Sequence, residues 1–240
     1  MKKYYVFRFS WMLTVFFLCS AVFLLCTILG TVHAVSTASA APETPITVVL
    51  DIGHGGEDGG AVGVNGIQEK DINLAIGLHV RDCLQEAGIT VKMIRETDTA
   101  VGDTTLPTVA KRKRSDIQYR AQYVNESDRC ILVSIHQNFF EQSQYSGAQM
   151  FYSGNHPDSA VLAESIRSCI VAQIQPENKR ENKQADQGIY LLSHVQVPAV
   201  IVECGFLSNP EEAEKLSDKA YQKQMASAIA EGVIAFCCSE

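Results

Sequence analysis

Two histidines and two glutamates occupy places in this chain where backbone geometry concentrates chemistry. His54 follows a β-rich apolar run, Ile46-Thr47-Val48-Val49-Leu50, within Asp51-Ile52-Gly53-His54-Gly55-Gly56. His136 closes a second run in Ser134-Ile135-His136-Gln137-Asn138, and Glu203 a third in Val202-Glu203-Cys204-Gly205. Glu69 opens a helical pattern just after the glycine-rich stretch has turned back. Two histidines and a carboxylate form a recurrent catalytic zinc set with a fourth position left for water. A further carboxylate can take that water's proton. The expected site is therefore one Zn2+ held by His54, Glu69 and His136, with Glu203 as general base. Taken singly, each residue also has a structural explanation: a lone His is usually a hydrogen-bonded packing group, and a Glu at a helix start usually complements the macrodipole. His79, near the apolar face of the same helix, is read in that way, and His33, His156 and His194 are left unassigned. There is no HExxH pattern, so spacing by itself leaves both readings open.

The elements that must position these groups alternate. Strands are expected over 46–50, 90–94, 130–135, 148–152, 188–192 and 199–202. Apolar residues at 72, 76, 80, 83, 84 and 87 give the 3.6-residue period of a helix over 71–87 that ends at Gly88. Further helices are expected over about 114–126, from Pro157 to about 174, and at the C-terminus with Tyr221, Met225, Ile229, Gly232, Val233 and Phe236 on one side. This order predicts an α/β fold: a single domain with a mostly parallel twisted sheet and helices on both faces. Sites in such sheets gather at the carboxyl ends of the strands, which is where His54, His136 and Glu203 fall. The glycine-rich stretch over 53–66 lacks both the P-loop and the Gly-x-Gly-x-x-Gly pattern, so its expected role is to reverse the chain and bring Glu69 to His54.

Composition bounds the rest. The chain has 240 residues, 46% of them hydrophobic and 20% charged, which suits a globular core and excludes disorder. Phe9 to Val32 contains no Asp, Glu, Lys, Arg or His, and Lys2, Lys3 and Arg8 precede it. Residues 1–40 read as a signal peptide or membrane anchor, with small-x-small cleavage patterns at Val32-His33-Ala34 and Ala38-Ser39-Ala40. Residues 35–45 serve as a linker, and 41–240 form the catalytic domain. The positive-inside rule then places the body outside: exported, on the extracytoplasmic face of the membrane. Beyond residue 40 the chain carries 17 Lys and Arg against 27 Asp and Glu, so nucleic acid is not an expected partner. The run Lys111-Arg112-Lys113-Arg114 is read as a solvated helix flank in preference to an anion-binding loop. The eight cysteines show no Cys-x-x-Cys. Most are expected to be buried free thiols, with one or two disulfides left open.

Four blocks carry a family resemblance: Asp51-x-Gly53-His54-Gly55-Gly56, Gln68-Glu69-Lys70-x-x-Asn73-Leu74, Ser134-Ile135-His136-x-Asn138 and Val202-Glu203-x-Gly205-Phe206-Leu207-Ser208-Asn209. In order and content they resemble the zinc-dependent N-acetylmuramoyl-L-alanine amidases, across residues 46–236. The resemblance implies zinc at His54, Glu69 and His136, catalysis by Glu203, and a peptidoglycan substrate. Arg95 and the Arg120 to Asn125 stretch also resemble family positions. Gln137-Asn138-Phe139-Phe140 departs from the family's usual x-Asn-Ala, which affects the groove rather than the metal. Ser146-Gly147-Ala148-Gln149-x-Phe151-Tyr152 and the single compact domain resemble the spore-cortex, germination-specific amidases. That likeness implies a role in cortex maturation toward muramic-δ-lactam, in the forespore intermembrane space. A general autolysin, a catalytically inactive wall-binding module and a zinc peptidase or deacetylase are the competing readings. An accessory protein is compatible with all of them.

Overall fold

The computed structural model describes residues 11, 16–25 and 46–239. The chain divides into two compact units, Met1–Thr44 and Pro45–Glu240. In the first, Trp11 and residues 16–25 are helical. Most of the expected export segment lies outside the described residues, among which no helix is long and apolar enough to cross a membrane.

The second unit is built on six strands: β1 (Thr47–Ile52), β2 (Thr90–Met93), β3 (Cys130–Asn138), β4 (Gln149–Tyr152), β5 (Lys183–Gln184) and β6 (Ala199–Phe206), in the order β2-β1-β3-β6-β4-β5. The pairs β1–β2, β1–β3 and β3–β6 are parallel, and β4 runs antiparallel to β6. Helices are α1 (Glu69–Glu86), α2 (Val109–Asn125), α3 (Ser159–Gln173), α4 (Tyr190–His194), α5 (Pro210–Ser217) and α6 (Lys219–Cys237). The α/β class and the mostly parallel sheet are as the sequence predicts. The expected strand over 188–192 is instead α4, and the edge strand β5 lies earlier. Ile189, Tyr190, Leu191 and Leu192 suit a strand as well as one helical turn, because a short apolar run has no decisive period.

Strand periodicity sorts the core onto two faces. Val48, Leu50 and Ile52 on β1, with Ile131, Val133 and Ile135 on β3, pack beneath α1, α3 and α6. Val49 and Leu132 point the other way and pack with Ala121 and Val124 of α2 and Leu191 and Leu192 of α4. α2 is capped by Thr108, whose hydroxyl accepts from Lys111 N, so Lys111 to Arg114 belong to the helix itself rather than to its flank. Cys19, Cys83, Cys130, Cys169, Cys204 and Cys238 are free thiols, and only Cys130 and Cys204 are buried among the described cysteines. The expectation that most would be buried is thus met at two positions, and no disulfide forms among the described residues.

Candidate metal centre and active site

The second face of the sheet turns polar toward its carboxyl end. Along β3, Leu132 gives way to Ser134 and His136. Along β6, Ile201 gives way to Glu203, and Glu203 stands directly across from His136 in the parallel register. A register irregularity between His136 and Asn138 ends this pairing. Such bulges re-aim neighbouring side chains.

His54 lies just past β1 in a left-handed backbone conformation, φ 62°. That conformation is held from below. Arg120 donates to the carbonyls of Ile52 and His54 at 2.8 Å each, and Arg95 donates to the carbonyls of Ile52 and Gly53 at 2.9 Å each. Arg120 also pairs with buried Asp51, which accepts from Ser134 Oγ at 2.6 Å. The Asp51 carboxyl is buried, which would raise it, but Arg120 beside it holds it below its usual range.

Glu69, the first residue of α1, sits between the two imidazoles. Its Oε2 lies 3.1 Å from His54 Nε2 and its Oε1 3.0 Å from His136 Nδ1, with the ring centroids 5.1 Å apart. The carboxylate also accepts from Ala61 N at 2.9 Å, Gln137 N at 3.1 Å and Asn73 Nδ2 at 3.3 Å. Two glycines permit this closeness. A Cβ on Gly53 would fall 2.3 Å from the His136 ring, and one on Gly60 (φ 68°) 2.5 Å from Glu69 Oε2.

His54, Glu69 and His136 can each present one ligand atom, all within 4.8 Å of one another. A tetrahedral site with bonds of 2.0–2.2 Å has edges of about 3.3–3.6 Å, close to the two contacts at Glu69. The electrostatics also suit a cation there. Burial would lower the His54 imidazole, yet its bonds to Asp58 and Glu69 carry it up to about 9, and His136 is raised against its own burial by Glu69. Glu69 is held far below the usual carboxylate range by the same two rings, despite its burial. Asp58 Oδ2 takes the other ring nitrogen of His54 at 2.9 Å and so leaves Nε2 facing Glu69. A carboxylate on the outer nitrogen is the usual support of a metal-binding imidazole.

Glu203 differs from the trio. Its Oε2 is enclosed and has no hydrogen-bond partner. Burial pushes its carboxyl up to about 7, with His136 opposing and Glu69 reinforcing the rise. A carboxyl group near neutrality beside a cation site can both accept and return a proton.

The four residues singled out from the sequence are therefore brought together. The matching family model, that of N-acetylmuramoyl-L-alanine amidase, covers residues 48–235. The chain belongs to the N-acetylmuramoyl-L-alanine amidase family. The family's reaction is hydrolytic and implies a peptidoglycan substrate. Similar proteins include the germination-specific N-acetylmuramoyl-L-alanine amidase of Bacillus subtilis (strain 168), 38% identical over 79% of this chain and 78% of the relative. The amidase AmiA of Escherichia coli (strain K12) is 29% identical over 79% of this chain and 75% of the relative. Among solved structures, the CwlD amidase from Clostridioides difficile in complex with the GerS lipoprotein has a TM-score of 0.78 and 38% identity, covering 81% of this chain and all of that one.

The other histidines stand apart. His194 stacks on Tyr190 at 3.7 Å, His156 lies 3.5 Å from Asp158, and His79 is half-buried on α1. Sequence reasoning did not name Asp58, and it quoted Asp51, Ser134, Arg120 and Gln149 within motifs without giving any of them a role. Asp58 had a usable signal, a carboxylate four residues beyond a candidate metal histidine. The basic run is also partly engaged: Lys113 Nζ lies 2.7 Å from Asp58 Oδ1, and Arg112 pairs with Glu57. Half of that run therefore clamps the loop that carries His54.

Proposed function

We propose that this amidase is a zinc enzyme that cleaves the bond between the lactyl group of N-acetylmuramic acid and L-alanine, with His54, Glu69 and His136 as zinc ligands and Glu203 as the catalytic acid–base. The observation that carries this reading is the enclosed, unpartnered Glu203 oxygen directly across β3–β6 from His136. Zinc, when bound, supplies a Lewis acid that activates water and polarises the amide carbonyl. Glu203 accepts the proton of the attacking water and passes it to the departing amine of L-alanine. Asp58 and Asn73 keep His54 and Glu69 oriented. The complete set argues against an inactive wall-binding module, because binding alone requires no unpaired carboxyl group near neutrality.

The finer role follows from the relatives. Similarity to a germination-specific amidase and to CwlD supports action in the spore cortex, in the forespore intermembrane space, as the first step toward muramic-δ-lactam. The presence of GerS on CwlD supports an accessory lipoprotein for this chain too. We assign residues 1–40 to a signal peptide or membrane anchor and 41–240 to the catalytic domain, which places the active site on the extracytoplasmic side. The test is product analysis of vegetative wall and spore cortex treated with the zinc-quantified protein. Stem peptides with a free L-alanine amino terminus, released preferentially from cortex, support both levels. Equal release from both walls favours a general autolysin. Stoichiometric zinc with a different cleavage product favours a peptidase or deacetylase.

A further inference from the structure

The strand order gives the site a direction. His54 follows β1, His136 lies on β3, Glu203 on β6 and Gln149 on β4, and these strands are successive neighbours. If Glu203 returns a proton to the leaving amine, that amine lies on the Glu203 side of the metal ligands. Under the proposed chemistry the peptide then leaves on the β6–β4 side of the site. Gln149 pairs directly with Glu203 across the antiparallel register, and opposed residues in such a pair share a face.

Beyond Gln149 stands Arg180. Its Nη1 donates to Gln149 Oε1 at 3.0 Å and its Nε to Ser146 O at 2.6 Å. The guanidinium lies 4.4 Å from the Phe206 ring centroid and 5.6 Å from that of Tyr145. Arg112, Arg120 and Arg167 each form an ion pair with a carboxylate, whereas half-buried Arg180 forms none among the described residues and feels Glu212 only through its field. Arg180 also lines a cleft of about 680 Å3 together with Tyr145, Gly147, Gln175, Asn178 and Lys215. Of the acids around that cleft, Glu212 is occupied by the N–H groups of Gly147 and Phe206, at 2.8 and 2.7 Å. Glu177 and Glu211 are exposed.

We propose that Arg180 anchors a carboxylate-binding subsite for the stem peptide. The proposal rests on the amidase reading above and extends it to the substrate's peptide side. A stem peptide carries at least its terminal carboxylate, and a planar guanidinium fixed by stacking and two hydrogen bonds has lost little freedom still to lose on binding one. The aromatic wall excludes water from one face of the ion, and Lys215 adds positive charge to the cleft.

The test uses one wall preparation in two forms, native and with its carboxylates converted to carboxamides by carbodiimide and ammonia. The wild-type full chain is expected to release stem peptide from native wall with kcat/KM about tenfold or more above that on amidated wall. Arg180→Gln should remove this preference by raising the apparent KM on native wall while sparing kcat, and Arg180→Lys should keep part of it. Equal wild-type rates on the two walls overturn the subsite and leave the amidase reading intact. An Arg180→Gln protein with lower melting temperature and an unchanged preference also overturns it, since Arg180 would then be purely structural. Release from native wall of a product cut at another bond overturns the amidase reading itself.

Discussion

One face of the sheet lies under three long helices, and the other under α2 and the single turn of α4. The first face gathers 28 buried core residues among those described, the second only 11. Both are read from the same strands, since alternate residues of β1, β3 and β6 point to opposite sides. Toward the carboxyl ends the first face stays apolar through Ile52, Ile135, Val202 and Cys204. The second switches to Asp51, Ser134, His136 and Glu203. Burial of apolar area on one side thus supports polar groups on the other, where Asp51 and Ser134 are buried and His136 and Glu203 are only partly so.

This division yields expectations in descending order of effect. His136→Ala or Glu69→Ala should abolish stoichiometric zinc and with it turnover, which metal analysis and wall digestion would check together. Arg120→Met leaves Asp51 buried without its partner and should cost about 3–5 kcal/mol of stability, measured by urea unfolding. Ile135→Ala, beside His136 in sequence but on the opposite face, should cost about 2–5 kcal/mol and leave zinc affinity as it was. An Ile135→Ala protein that loses zinc would break the separation of the two faces. Asp58→Asn should weaken zinc about 10–100-fold in chelator competition, with a smaller loss for Lys113→Met and little change in metal-free stability.

The smallest effect concerns pH. The Glu203 carboxyl is raised from 4.5 to about 7 in the folded protein. Its contribution to metal-free stability is then full below pH 4.5 and is lost as pH rises through about 7. Glu203→Gln should flatten the melting temperature of the metal-free protein between about pH 5 and pH 8. In the zinc form the adjacent dication favours the carboxylate, so the acid limb of kcat/KM should lie below pH 7.

Much of this organisation was legible in the sequence because the decisive residues end apolar runs. Strands β1, β3 and β6 announce themselves by β-branched content, and His54, His136 and Glu203 sit where those runs stop. Glu69 was legible because a glycine-rich reversal precedes an amphipathic helix. The four matched blocks tied these positions to one family. Other features depend on contacts distant in sequence. Arg120 reaches Asp51 across 69 residues, and Arg180 reaches Gln149 across 31, so no local pattern marks either pair. Lys113 could not be assigned to Asp58 from composition alone, since four adjacent cations look the same whether solvated or paired. The α4 segment was misread because five residues hold too little of either period.

The most direct test of the account compares wild type with Glu203→Gln at equal zinc content. Both are assayed for stem peptides that begin with L-alanine, released from peptidoglycan. The expected result is unchanged zinc stoichiometry and a fall in kcat of about 10²–10⁴-fold. A Glu203→Gln protein that retains zinc and near-normal turnover would contradict the proposed chemistry at its centre.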